Sequence, residues 1–220
     1  MRVNGPVHKH RSSPMPFHEP LEVQGRVDFS QDHFTLFGLP ARFTLDTDAL
    51  TRTWRQLQAA VHPDRFVNAS PADKRLAMQW STQVNTAYRT LKDAQQRAAY
   101  LCELRGVPID AERNTAMPTE FLMQQLQWRE RLDDVREAGD AGALQAMADE
   151  VERARDQTLL RLATLLDQAP RAGPEASELP SQSTRDAAAL VRVLMFIDKF
   201  RQDLASPLPR SGSNLNAPAA

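Results

Sequence analysis

His62 and Asp64 stand two positions apart with Pro63 between them, the residue types and spacing of a general base with its orienting carboxylate. That chemistry needs a concave setting that excludes water and brings several groups together. The surrounding sequence describes the opposite. Before the motif, Leu50, Trp54, Leu57 and Val61 recur on one face of a helix. After it, Ser70-Pro71-Ala72-Asp73 supplies an N-cap serine, a proline at the first helical position and an acid in the first turn. Leu76, Trp80, Val84, Ala87, Tyr88 and Leu91 then share one face of a second helix. Pro63 lacks an N–H and pushes His62 toward extended geometry, so the first helix cannot run on. The pair therefore occupies the convex tip of an antiparallel helical hairpin, and no catalytic residue is expected there. The plain alternative is a turn and nothing more.

Other candidates for chemistry are few. Cys102 is the single cysteine, which rules out an intrachain disulfide or a cysteine-built zinc site and favours a reducing, cytoplasmic setting. His8 and His10 lack the further ligands that would make a metal site. No metal and no cofactor are expected. A net charge of -1 gives no basic field for nucleic acid or an anionic membrane. No apolar run is long enough to cross a bilayer.

Ten of the 15 prolines fall in residues 1–20, 170–180 and 207–218, which marks those segments as unstructured. The N-terminal arm has Arg2, Lys9 and Arg11 and no acid before Glu19, a bias shared with mitochondrial transit peptides. Its four prolines spoil an amphipathic helix and favour a plain arm. A short helix spans 32–39 and stops at Gly38, with Phe34, Phe37 and Leu39 as plugs for the hairpin core. A further helix runs from Ala94 to Arg105. Three long periodic segments follow, Thr119 to about Ala138, about Ala143 to Gln168 and about Arg185 to Ala205. Leu144, Met147, Val151, Ala154, Thr158, Leu162 and Leu165 line the second; Ala187, Leu190, Leu194, Ile197 and Leu204 line the third. The expected architecture is all-α, with a helical-hairpin unit joined to an antiparallel three-helix bundle. Its divisions are an arm at 1–30, the hairpin unit at 31–106, a linker at 107–118, the bundle at 119–205 and a tail at 206–220.

The hairpin with His-Pro-Asp at its tip resembles a J domain, the module that stimulates the ATPase of seventy-kilodalton heat-shock chaperones. Asp32 to Leu39 is similar to that family's first helix and Asn85 to Asp93 to its third. The resemblance implies that Asp64 pairs with an arginine of the chaperone while His62 and Pro63 shape the loop. Arg52 and Arg55 fall opposite the apolar face of their helix, continued by Arg65, and this strip suits an acidic chaperone surface. Asp48 lies on the same side and thins it.

The bundle decides which J protein is at hand. Counting about 100° per residue, Phe121, Trp128, Leu132 and Val135 fall in one narrow sector that must face the bundle. Leu122, Met123 and Leu126 fall on the flank and back, with Gln127, Glu130, Asp133 and Asp134. Phe196, with Phe200 near it, sits off the line of Leu190, Leu194 and Ile197. Apolar groups ringed by charge mark a partner site; the alternative is that they pack on the hairpin unit or broaden the bundle core.

Phe121 to Asp133 and Phe196 to Phe200 resemble the C-terminal domain of HscB-type co-chaperones of iron–sulfur cluster assembly. With Phe34 to Phe43, the likeness covers about residues 30–205. The paired cysteines that some eukaryotic relatives carry ahead of the J domain are absent, which leans toward a bacterial cytoplasm. The resemblance implies that Leu122, Met123, Leu126, Gln127, Glu130, Asp134 and Phe196 bind an IscU-type scaffold. Gln127 stands where a glutamate is common, and Asp134 is a shorter acid than usual. The implied role is an adaptor that delivers the scaffold to an HscA-type chaperone and triggers ATP hydrolysis, itself no enzyme. The rivals are a generic J protein whose helical domain binds other clients or dimerises and, more distantly, a hydrolase using His62 and Asp64.

Overall fold

A computed structural model describes residues 31–110, 117–168 and 180–206. Among them the chain forms seven α-helices and a 3₁₀ turn: α1 His33–Leu36, α2 Thr47–Val61, the turn Pro63–Phe66, α3 Pro71–Lys92, α4 Ala94–Leu104, α5 Thr119–Ala138, α6 Ala141–Gln168 and α7 Gln182–Ala205. The expected arm and its transit-peptide and histidine readings, most of the loop before α7, half of the linker and all of the tail beyond Ser206 lie outside the described residues.

Helix starts follow their sequence signals. Asp32 accepts from the backbone N–H groups of Phe34 and Thr35, Asp46 from Asp48 and Ala49, and Asp93 from Gln96. At α3 the Ser70 hydroxyl accepts the Asp73 N–H at 3.2 Å while Asp73 Oδ2 receives the Ser70 hydroxyl at 2.7 Å, a reciprocal cap. Gly38, Gly106 and Gly139 take positive φ just past helix ends, as left-handed stops do.

In the hairpin unit, α2 and α3 pack antiparallel over Leu50, Leu57, Val61, Trp80, Val84, Ala87 and Leu91, with Phe34, Leu36 and Phe37 closing one side. Trp54 is only partly buried; its indole N–H donates to Asn85 at 3.0 Å and its ring stacks on Tyr88. Phe121, Trp128, Leu132, Met147, Val151, Val193, Ile197, Phe200 and Leu204 make the bundle core.

Three expectations are corrected. Phe200 is 3% exposed and stacks on Trp128 with ring centroids 5.5 Å apart, so it belongs to the core and not to a surface patch. On α6 the deeply buried position is Leu166, Leu165 being partly covered, because the buried stripe drifts along a long helix. On α7 the buried set extends to Ala188, Val191, Arg192 and Val193, well round the helix. For Ala188 and Val191 the reason is α4, which lies against α7 and α6, while Val193 packs in the bundle core. Leu162, Leu166, Ala187, Ala188, Leu190, Val191 and Leu194 of the bundle helices join Ala98, Leu101 and Cys102 of α4 in the core of the hairpin unit. One continuous apolar cluster thus runs across the two halves.

A polar clamp reinforces that seam. The Asp167 carboxylate at the end of α6 accepts the N–H of Phe43 at 2.6 Å and of Thr44 at 3.0 Å. Buried Arg97 on α4 donates through Nε to the Phe43 carbonyl at 2.8 Å and through Nη1 to that of Leu91, and its guanidinium lies over the Phe43 ring. Burial lowers the Arg97 pKa, and Asp93 and Asp167 oppose that.

Candidate functional site

At the hairpin tip, α2 ends at Val61 and His62 turns to extended geometry with φ -63° and ψ 132°. The next residues form the 3₁₀ turn; Pro63 has no N–H to offer, and the Arg65 N–H donates back to the His62 carbonyl at 3.0 Å. His62 Nδ1 accepts the Asp64 N–H at 3.3 Å and lies 3.5 Å from Asp64 Oδ2. An imidazole accepting there is the tautomer with its proton on Nε2. Both side chains are exposed, Asp64 at 86%. The carboxylate is presented to solvent by a turn whose geometry the histidine helps to fix.

Arg52, Arg55 and Arg65 are all exposed. Arg52 lies 3.9 Å from Asp46, the cap of its own helix, and Arg65 Nη1 reaches the Ala59 carbonyl at 3.4 Å. Asp46 is thus an acid within reach of the strip. With α2 as its track, the strip borders the tip on the solvent side of the hairpin.

The second site lies on α5. Phe121, Trp128 and Leu132 turn inward and are buried, with Val135 half-buried. The helix is fastened from the side by α6: the Trp128 indole N–H donates to Glu150 Oε1 at 2.8 Å and Arg131 Nη1 to Glu150 Oε2 at 2.9 Å. Burial alone would raise the Glu150 pKa, but these two donors outweigh it and hold the carboxyl below its ordinary value. The opposite face is left open. Leu122, Met123 and Leu126 are 46%, 58% and 53% exposed. Gln127, Glu130 and Asp134 are exposed beside them, and among the described residues no ion pair engages either acid. Eight large apolar side chains are exposed among the described residues, and these three are the only ones that fall within five consecutive positions.

Phe196 is placed differently. It is half-buried against the bundle core, meeting Phe121 edge-on at 5.6 Å and Phe200 face-on at 5.9 Å, and the Arg129 guanidinium lies 5.5 Å from its centroid. The structure thus brings Phe196 to the border of the α5 patch through Phe121 and Arg129. Arg129 had escaped the sequence reading because a lone arginine among carboxylates looks like ordinary surface. Among the described residues, no group of three or more His, Cys, Asp or Glu is placed to hold a metal ion, and no helix is long and apolar enough to cross a membrane.

Residues 117–205 match the family model described as the HSCB C-terminal oligomerisation domain. Over 180 residues, 82% of this chain and 98% of its relative, the chain is 48% identical to the co-chaperone protein HscB homolog of Bordetella petrii. It is 44% identical to that of Burkholderia thailandensis over 84% of this chain and 98% of the relative. The chain belongs to the HscB family of co-chaperones. The solved chaperone HscB from Vibrio cholerae matches at 34% identity and a TM-score of 0.65, over 80% of this chain and 96% of that one. The crystal structure of human co-chaperone protein HscB, at 24% identity and a TM-score of 0.72 over 91% of this chain and 93% of that one, shares the fold. The HscB architecture of a J domain followed by a helical bundle is the one the helices above build.

Proposed function

We propose that this HscB protein is an adaptor with two docking faces, one for a seventy-kilodalton heat-shock chaperone of the HscA type and one for an IscU-type iron–sulfur scaffold. Asp64 meets an arginine of the chaperone, His62 and Pro63 hold the turn, and Arg52, Arg55 and Arg65 steer the encounter. Leu122, Met123 and Leu126 hold the scaffold, with Gln127, Glu130 and Asp134 as a polar rim and Phe196 at the border. The working units are the J domain at 31–106 and the bundle at 119–205. The reaction belongs to the partner's ATP; holding the scaffold and the trigger on one body makes the second encounter effectively intramolecular. In a bacterium this takes place in the cytoplasm.

The observation that supports this reading most is the open face of α5. A helix whose inward side is fully packed still offers three large apolar side chains to water, and such exposure is costly unless a partner covers it. The test is a chaperone ATPase assay with and without purified scaffold. Wild type should raise hydrolysis above basal, and more so with scaffold present. Replacing Leu122, Met123 and Leu126 together by alanine should abolish scaffold binding in calorimetry and leave helicity unchanged, since none of the three is in the core. Hydrolysis that stays basal with wild type sinks the proposal.

The name of the matching family model favours one second reading, that the same face joins copies of this chain. Light scattering separates the two. A triple variant that turns from oligomer to monomer yet binds scaffold normally assigns the patch to self-association.

A further inference from the structure

The α5 patch includes a cation that a description as apolar with an acidic rim leaves out. Counted at about 100° per residue, Arg129 falls about 20° from Leu122 and about 60° from Leu126, on the flank opposite Glu130 and Asp134. Its exposed side chain does not trail into water but lies over Phe196, 5.5 Å from the ring centroid. Of the three arginines on α5, the other two are engaged: Arg131 with Glu150, and Arg136 with the Asp203 carbonyl at 2.6 Å. Among the described residues no carboxylate or carbonyl takes up Arg129, Asp133 one turn away included.

Resting on the reading of this face as the scaffold-docking site, we infer that Arg129, held on the Phe196 ring, is its specificity-determining residue and takes a carboxylate from the scaffold. A guanidinium stacked on a ring keeps its N–H edge free and fixed in direction, the arrangement that suits a two-point bond to a carboxylate. Leu122 and Leu126 beside it make that bond dry once a partner covers the patch. The same dryness makes Arg129 a filter. A merely greasy partner would bury an unpaired guanidinium, which is strongly unfavourable, whereas one bringing an acid to that flank is accepted. Phe196 then acts by positioning Arg129 more than by touching the partner.

The test titrates purified scaffold protein by calorimetry into wild type, Arg129→Lys, Arg129→Met, Arg129→Glu, Phe196→Leu, the Arg129→Met/Phe196→Leu pair and the triple alanine variant. Arg129→Met should weaken binding about tenfold and Arg129→Glu about a hundredfold, with Arg129→Lys between wild type and Arg129→Met. Phe196→Leu should lose about as much as Arg129→Met, and the pair no more than either alone, because both act through one contact. Melting temperatures of the Arg129 variants should stay at the wild-type value, since the side chain is exposed. If Arg129→Met and Arg129→Glu bind within twofold of wild type while the triple variant fails to bind, this assignment is wrong and the docking site stands. Normal binding by the triple variant removes the docking site itself, and Arg129's role with it.

Discussion

Asp64 and Cys102 mark the two extremes of what a polar side chain does in this chain. Asp64 is exposed and makes no contact that holds the fold beyond its neighbour His62. On the proposed reading, Asp64→Asn should remove at least about nine-tenths of the chaperone stimulation, because a directional pair to arginine would lose its charge. The same variant should melt within about 0.5 kcal/mol of wild type in urea titration, as exposed substitutions do. Cys102 is the reverse case, fully buried, its pKa pushed up to about 11 by desolvation against the pull of Arg105 and Arg192. At pH 8 only about one thiol in a thousand is ionised in the native state. Ellman's reagent should label it in urea and leave it untouched in buffer for hours. The raised value also fixes a sign. The stability from keeping this thiol neutral is complete below its ordinary value of 9.0 and is lost as pH climbs toward about 11, by roughly 1.4 kcal/mol per unit within that window.

Helix α5 shows how an element can be held firmly while leaving one face free. Trp128 is 1% exposed and its indole N–H is satisfied by Glu150, whose other oxygen takes Arg131. A carboxylate on α6 thereby sets the rotation of α5, and that rotation decides which side chains reach water. Glu150→Leu leaves the Trp128 N–H without its acceptor and should cost about 1–3 kcal/mol by urea titration, with blunted scaffold binding as α5 loosens. Acid should act the same way. Because the folded carboxyl lies below its ordinary 4.5, its contribution is present above that value and drains as pH falls through the lower one. Tryptophan fluorescence should report α5 loosening as pH falls below that ordinary value, and the Glu150→Leu variant should lack that step.

At the scale of the whole molecule, the seam matters more than the linker. The J-domain core takes in Leu162, Leu166, Leu190 and Leu194 from the bundle helices, and Arg97 and Asp167 clasp the Phe43–Thr44 backbone between them. On the proposed reading, the hairpin tip and the α5 face then keep a fixed separation, so the second encounter should depend on geometry as well as tether length. The shared core predicts a single calorimetric unfolding transition where two independent domains would give two. Leu194→Ala, at a fully buried site, should cost about 2–5 kcal/mol. Although Leu194 lies on a bundle helix, fluorescence of Trp80 in the J domain should shift its midpoint by the same amount as that of Trp128.

Periodicity, caps and turn residues made most of the helices legible before any coordinates. They depend on neighbours within one or two turns, and that information is in the local chain: Ser70 and Asp73 cap α3, Pro63 ends α2, Gly139 ends α5. The outward direction of Leu122, Met123 and Leu126 was legible for the same reason, since a single helix's angles sort its own faces. What a face meets depends on residues far away in sequence. Phe200 looks like surface until Trp128 is laid against it, and α7 reads as one-sided until α4 covers a second side. Arg129 passes for a solvated charge until Phe196, 67 positions on, comes beneath it. Residues near in sequence fixed the helices and which way their side chains point; only long-range packing decided which of those side chains stay in water, because burial belongs to pairs of surfaces and not to either one.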